Sequence, residues 1–314
     1  MTRVILRRLA VMPLILFVVT LLVFSVIVFL PGDPAQAIGG DQASPEQLAH
    51  IRERLQLDKS FPERYVAWVG GALQGDLGQS FANNGPITDQ IRRRLPVTAT
   101  LALGALAFAL LVGLPGGILA AIFPSRWLDR ALTVGTSVGL AIPSFWLATI
   151  LVSVFAVTLR WLPAAGYSDF FQGPLESVRR LILPTVALGL YLGAELARQL
   201  RSSVLAISQE PYIRTAYAKG LSPIAVMGKH ALKNAATPAL TVLGLRAGHL
   251  LAGSAIIESI FAIPGIGKYT VEAIANRDLP AVQGVVLVSV VVILTVNLLI
   301  DVLNAALNPK VRLA

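Results

Sequence analysis

Residues 95–125 read LPVTATLALGALAFALLVGLPGGILAAIFPS, without one charged side chain between Arg94 and Arg126. A helix needs about 20 apolar residues to cross a hydrocarbon core of about 30 Å, so this stretch spans with residues to spare. Working outward, further uncharged runs lie at 9–32 (Arg8 to Asp33), 131–159 (Arg130 to Arg160), 181–194 (Arg180 to Glu195) and 279–300 (Asp278 to Asp301). The run at 181–194 is short, but apolar residues continue through Leu196 to Leu200. A sixth run, 234–257, is interrupted by Arg246. The expected fold is therefore an all-α integral membrane protein with six transmembrane helices. Composition agrees. Of 314 residues 55% are apolar and 14% charged, with a mean hydropathy of +0.72, whereas a soluble domain carries about 25% charged residues. That excludes a disordered chain and an ordinary soluble domain. Cysteine is absent, which excludes a disulfide framework, Cys-ligated zinc, an iron–sulfur site and a thiol nucleophile.

The net charge of +9 and pI near 10.2 raise the question of nucleic acid, and the placement of the charges answers it. Short loops rich in Lys and Arg stay on the cytoplasmic side, while long segments translocate whatever their charge. With the N-terminus inside, the inner segments hold thirteen basic residues and the short outer loops five; seven more fall in the long segment 33–94. The basicity is a topology signal. Both termini are expected in the cytoplasm, and no nucleic-acid partner is expected. Arg3, Arg7 and Arg8 before an apolar run, with Ala35-Gln36-Ala37 beyond, imitate a signal peptide. Signal h-regions run about 7–15 residues, far less than this run, so a retained first span is expected. The chain divides into 1–32 with the first span, an extracytoplasmic segment 33–94, and a core at 95–314.

In the outer segment, Ser44-Pro45-Glu46-Gln47 is a helix start, with Ser44 and Gln47 placed for a capping box and Pro45 at the first helical position. Leu48, Ile51 and Leu55 share one face. A second amphipathic stretch carries Tyr65, Trp68, Val69 and Leu73. Within the spans, Gly113/Gly117, Gly135/Gly139, Gly189/Gly193 and Gly244/Gly248 form GxxxG pairs, the spacing by which membrane helices bring their backbones close.

The inner segment 201–237 reads as two short helices joined by a tight turn. The first covers Tyr212 to Lys219, and Gly220 suits a left-handed C-cap. Ser222-Pro223 restarts a helix that runs from Ile224 to about Ala236 and stops before Pro238. It carries Lys229, His230 and Lys233. A solvated loop retained by charge and a docking element for a cytoplasmic partner both fit this pattern.

At Tyr212–Gly220 and His230–Ala235 the chain resembles the permease subunits of bacterial ABC importers, most of all their dipeptide/oligopeptide branch. That family's inner loop follows Glu-Ala-Ala, three residues, Gly, nine residues, then Ile-x-Leu-Pro. Here Ala216, Gly220 and Leu232 keep their places. Arg214, Thr215, His230 and Lys233 stand where Glu, Ala, Ile and Pro are expected, departures that resemble the peptide branch's own version of the loop. Gly75–Phe81, Glu258–Gly267 and Asn276–Pro280 are also similar to recurrent stretches of that branch. The resemblance implies a type I importer permease with six spans, embedded in membrane lipid of the bacterial inner membrane. Its inner loop, with Arg214, Thr215, Ala216, Lys219, Gly220, His230, Leu232 and Lys233, would be a coupling helix seated in a groove of an ATPase. It also implies a second homologous permease subunit, two ATP-binding subunits that hold ATP and Mg, an extracytoplasmic peptide-binding protein and a peptide substrate. The same architecture serves nickel and glutathione uptake.

Competing chemistry finds little support. Ala262–Tyr269 approaches a phosphate-binding loop, but Tyr269 stands where the Mg-binding Ser or Thr belongs and no strand precedes it. No cofactor in this chain is expected. His50, His230 and His249 lack metal-ligand spacing. An ion-coupled transporter would want midplane acids, and a membrane-bound enzyme a polar catalytic cluster; neither is visible, and no catalytic residue is expected. The candidates for lining the translocation path are Arg246 and His249, which share one helix face, and Glu258 nearer the span end. Such ionisable groups border a cavity or pair with a carboxylate, and both readings stand for Arg246 and His249. Glu195 and Arg198 are expected to pair with each other at i,i+3.

Overall fold

The computed structural model describes residues 2–26, 33–40, 42–124, 126–222 and 225–307, and these are helical apart from loops and one bridge between Gln79 and Pro86. The helices are α1 (Thr2–Ser25), α2 (Pro34–Gly39), α3 (Pro45–Arg54), α4 (Phe61–Leu73), α5 (Ile87–Ile122), α6 (Trp127–Ala141) and α7 (Ser144–Leu151), which continues as the π-helical segment Val152–Thr158. They are followed by α8 (Pro174–Ser208), α9 (Pro211–Ala218), the π-helical segment Val226–Ala231, α10 (Leu232–Ile260), α11 (Ile266–Ala275) and α12 (Leu279–Leu307).

Among the described residues, four helices, α1, α5, α8 and α12, are long and apolar enough to cross a membrane. The third expected span is not one straight helix. Its halves, Trp127–Ala141 and Ser144–Thr158, meet at 103°. Pro143 disfavours helical backbone at the residue before it, and Ile142 is accordingly extended, at φ −80° and ψ 120°. Taken as one broken span, the pair makes a fifth. The sixth expected span falls in α10, whose 29 residues cover about 43 Å at 1.5 Å each; it is not among the helices that meet the apolar criterion, and it lies beside α8 and α12.

At the centre stands α8, packed on α5, α6, α7 and α10. Its contact with α5 is made by bare backbone. A Cβ added to Gly113 would lie 2.7 Å from Gly193 O, one at Gly117 2.7 Å from Ala197 O, and one at Gly189 2.5 Å from Ala105 O. Two of the four GxxxG pairs are thus the two sides of a single seam, where small residues let the axes close. Gly139 of the third pair faces Ala194, while Gly135 faces open space. Gly244 lies among side chains outside the described set.

Buried apolar residues form layers along the bundle. Ile87 and Ile91 at the start of α5 join Leu77, Ile266, Tyr269, Ala281 and Val285 at one end. Val97, Leu101, Ala105 and Ala109 meet Leu181, Leu188, Leu192, Ile257 and Phe261 in the middle. Ala121, Leu196, Leu200, Val204, Ala235 and Ala239 close the other end.

The segment 33–94 folds over the first end. Ser44 Oγ accepts from Gln47 N at 3.2 Å and Gln47 Oε1 from Ser44 N at 2.9 Å, completing the capping box. Leu48 and Ile51 pack toward Gly39 of α2. Arg52 donates to Asp33, a bond that holds this carboxyl below the ordinary aspartate range. On α4, Tyr65 shares a 2.8 Å hydrogen bond with Thr20, and Phe24 meets the rings of Phe61, Tyr65 and Trp68, so α4 is riveted to the end of α1.

The seam yields a direct test. Gly117→Val overpacks a backbone contact and should cost about 1–3 kcal/mol, read as a lower melting temperature in detergent. Gly135→Ala, with nothing within 4 Å of its new methyl group, should leave the melting temperature unchanged.

Candidate functional site

The hairpin that follows α8 is built from local rules. Glu210 is extended (φ −65°, ψ 143°), and Pro211 opens α9 at the position that needs no N–H donor. The helix closes in a Schellman motif: Gly220 N donates to Tyr217 O at 2.9 Å and Leu221 N to Ala216 O at 3.3 Å. Gly220 sits at φ +79° with no atom near its missing Cβ, so glycine is required by the left-handed backbone and not by lack of space. Ser222 caps the return limb, accepting from Ala225 N at 3.3 Å. Pro223 and Ile224, the expected restart, lie outside the described residues.

The two limbs lock together. Ile213 and Ala216 are buried against Val226 and Ala231, with Ile207 and Met227 alongside. Asn234 Nδ2 donates to Tyr212 OH at 3.0 Å and to His230 O at 2.9 Å. The second limb differs from expectation. It does not stop before Pro238 but passes from the π-helical segment Val226–Ala231 into α10, with Pro238 inside that helix. A proline in a membrane helix is tolerated where packed neighbours and π adjustments compensate for the lost bond, and α10 has α8 and α12 on its flanks.

The candidate residues separate by exposure. Arg214, Thr215, Lys219 and Gly220 lie on the open side of the hairpin with Tyr212, Tyr217 and Leu221. His230 and Leu232 are half-buried. The Lys233 side chain falls outside the described set. Ala216 is not on the open side: its small side chain fills the contact between the limbs. Asn234, the polar clasp of the hairpin, is a role the spacing alone does not suggest.

The polar face of α10 is also rearranged. Arg246 Nη2 donates to Glu195 Oε1 at 2.9 Å, its Nε lies 2.9 Å from Oε2, and its guanidinium stacks 5.7 Å from the centre of the Tyr191 ring. Glu195 therefore pairs across helices with Arg246 and not with Arg198 on its own helix. The reason is reach: α8 and α10 pack closely enough for a two-pronged contact, which an exposed i,i+3 pair lacks. The side chain of His249 is outside the described residues. Glu258 does not share this face. It is wholly buried, and it accepts from Thr98 Oγ1 and Lys268 N, each at 2.8 Å. Twelve positions beyond Arg246, it has turned about a third of the way round the helix, and it braces the start of α11 through Lys268 N.

Two further carboxylates organise the bundle. Asp129 of α6, buried, takes two bonds from Arg201 of α8, at 2.7 and 2.9 Å. Asp278, also buried, accepts from Ser80 Oγ and Phe81 N and caps α12 through Ala281 N. An Asp-Leu-Pro start ahead of an apolar run is the readable signal for the second; the first has no local signal.

Residues 113–313 match the family described as "Binding-protein-dependent transport system inner membrane component", and residues 1–102 match "Binding-prot-dependent transport system membrane comp, N-term". The chain belongs to this family. It is 42% identical over 312 residues to a putative peptide transport system permease protein of Brucella abortus, with 99% of each chain covered. To the dipeptide transport system permease protein DppB of Alkalihalophilus pseudofirmus it is 39% identical over 326 residues, with 98% of each covered. In fold it is similar to the inward-facing MetNI methionine ABC transporter, with a TM-score of 0.58 over 69% of this chain and 96% of that one, at 18% identity. The chain is thus an importer permease subunit of the inner membrane, a transport component and not an enzyme, which works with a substrate-binding protein.

The Arg246–Glu195 contact predicts strong coupling. Arg246→Ala and Glu195→Ala should each destabilise the subunit, and the double variant should recover part of the loss. A double-mutant cycle on thermal unfolding should return on the order of 1–3 kcal/mol.

Proposed function

We propose that this permease carries peptides inward as one of two homologous permease subunits, driven by two ATP-binding subunits that hold ATP and Mg, and fed by an extracytoplasmic peptide-binding protein. The peptide assignment is supported by the relatives, which are named for peptide and dipeptide transport. The observation that carries the coupling role is the clasped hairpin. A rigid element with Arg214, Lys219 and Lys229 on its open side, and tyrosines interleaved, suits a groove on a partner protein better than it suits bulk water. Its buried side rests on Ile207 at the end of α8, so a partner gripping the hairpin holds the central helix of the bundle.

Force applied there enters α8 and α10 together, and the pair would tilt as a body to swap outward for inward access. Arg246 joins those two helices, and with the partly exposed guanidinium, at 35%, it is placed to meet a peptide carboxylate along the path. His249, one turn further on, is proposed to border the same path. The positive-inside balance supports a hairpin and both chain ends in the cytoplasm, with the segment 33–94 outside.

Gly220→Val forces a β-branched residue into left-handed backbone, at about 1–2 kcal/mol, which is a factor of roughly 5–30 in the population of the correctly closed hairpin. The variant should reach the membrane yet lose ATPase co-purification and peptide uptake together; uptake at the wild-type rate would overturn the coupling role. Because the chain holds no cysteine, topology is open to single-cysteine labelling. Ser222→Cys should react with an impermeant maleimide only after cells are opened, and Phe171→Cys in intact cells. Competition of uptake by dipeptides, longer peptides and glutathione distinguishes the substrate classes.

A further inference from the structure

Where α1, α4 and the loop 75–81 meet, the structure has a cleft of about 410 Å³. Two arginines line it, and neither has a carboxylate partner among the described residues. The Arg64 guanidinium stands 5.7 Å from the Phe24 ring, and its Nε is buried without a hydrogen-bond acceptor. Trp68 Nε1, one helical turn along α4, is buried and unpartnered in the same way. Arg54 stacks 5.6 Å from Phe81 and donates only to neutral amide oxygens, those of Asn84 at 2.8 Å and Gln79 at 2.5 Å. One carboxylate shares the lining, that of Asp76, and its Oδ1 accepts from Gly78 N at 2.9 Å.

Buried donors without acceptors are costly, and native structures supply partners for nearly all of them. Burial also lowers the Arg64 guanidinium from its ordinary pKa, with no anion to compensate. The donor set wants an oxyanion. Its position says which kind. The cleft lies beside Phe24, near the carboxyl end of α1, a helix whose outer face is apolar and open at Leu14, Phe17 and Leu22. As α1 is long and apolar enough to cross a membrane over Arg8–Ser25, its carboxyl end and the guanidiniums beside it stand at headgroup depth, with the open apolar face of α1 available to acyl chains.

We propose that this cleft is a phospholipid site, in which Arg64, Arg54 and Trp68 hold the phosphate of an anionic lipid from the leaflet where α1 emerges. The lipid would tie α4 and the loop 75–81 to α1 and so stiffen the cap over the bundle. The proposal is independent of the peptide assignment, since it concerns lipid contact and not cargo.

The test uses the intact transporter complex purified in mild detergent, delipidated, and titrated with phosphatidylglycerol. Native mass spectrometry should show a retained lipid on the wild type and about tenfold weaker retention on Arg64→Gln and on Arg54→Gln, the loss expected from removing a charged donor. Phosphatidylglycerol should also raise the melting temperature of the wild type and not of either variant, so a variant that folds but does not bind remains informative. Inorganic phosphate should give no shift, because the site needs the attached chains. Equal lipid retention by wild type and variants would overturn the proposal. So would stabilisation by inorganic phosphate alone, or by a soluble peptide carboxylate in place of the lipid.

Discussion

The contact on which the bundle depends is the close approach of the α5 and α8 backbones. Lipid offers no hydrophobic drive to hold two helices together, so the gain must come from dense contact between atoms. Gly113, Gly117, Gly189 and Gly193 supply it by removing side chains from both sides of one seam. Such a contact has one fitted geometry. Sliding either helix drives a carbonyl into a Cα, and parting them forfeits the packing without any solvent gain. With α8 fixed against α5, the other spans that touch α8 take their positions from it.

The end of the bundle that the segment 33–94 covers is governed by a second constraint, the satisfaction of buried carboxylates. A buried carboxylate costs several kcal/mol of desolvation unless donors surround it, and both here recruit donors distant in sequence. Asp278 draws in Ser80 and Phe81 from almost two hundred residues upstream. Glu258 draws in Thr98 and the amide of Lys268, while Thr98 in turn accepts from Ile266 N at 2.8 Å. A Cβ on Gly265 would lie 2.4 Å from Glu258, so that glycine marks the close approach of backbone to carboxylate. The stretches Gly75–Phe81, Glu258–Gly267 and Asn276–Pro280, separate in the chain, therefore form one cap. Their resemblance to a family pattern has a physical reason in this shared anchoring.

What the sequence discloses follows from how local each rule is. Apolar run length marks five of the six expected crossings, and the capping box at Ser44 and the left-handed Gly220 are decided within a few residues of themselves. The broken third span was also local: Ile142-Pro143 carries the break, but an unbroken apolar run conceals it when length alone is weighed. The partners of Glu195 and Asp129 were not legible, because a pair formed across packed helices depends on which faces meet, and periodicity does not specify that for helices that are apolar nearly all round. Arg246 shows the intermediate case. Its position inside a span demands either a cavity or a carboxylate, and only the packed structure supplies Glu195.

These constraints together describe how motion can pass through the subunit. The hairpin does not hang from the bundle on loops. Its buried side shares Ile207 with α8, and its return limb runs unbroken into α10. The Arg246–Glu195 bridge then joins those two helices again further along. A load on the hairpin is therefore divided between two helices that are tied at both places, and bending either alone would break the ion pair or open the limb contact. On the far side of α8 the glycine seam resists sliding for the reasons given above. The cheapest response left is rotation of the packed helices as a body, pivoting where packing is weakest, and the 103° break at Pro143 supplies a neighbour that is not a continuous rod. Rigid transmission, on the proposed coupling role, would be a consequence of the same close contacts that stabilise the fold.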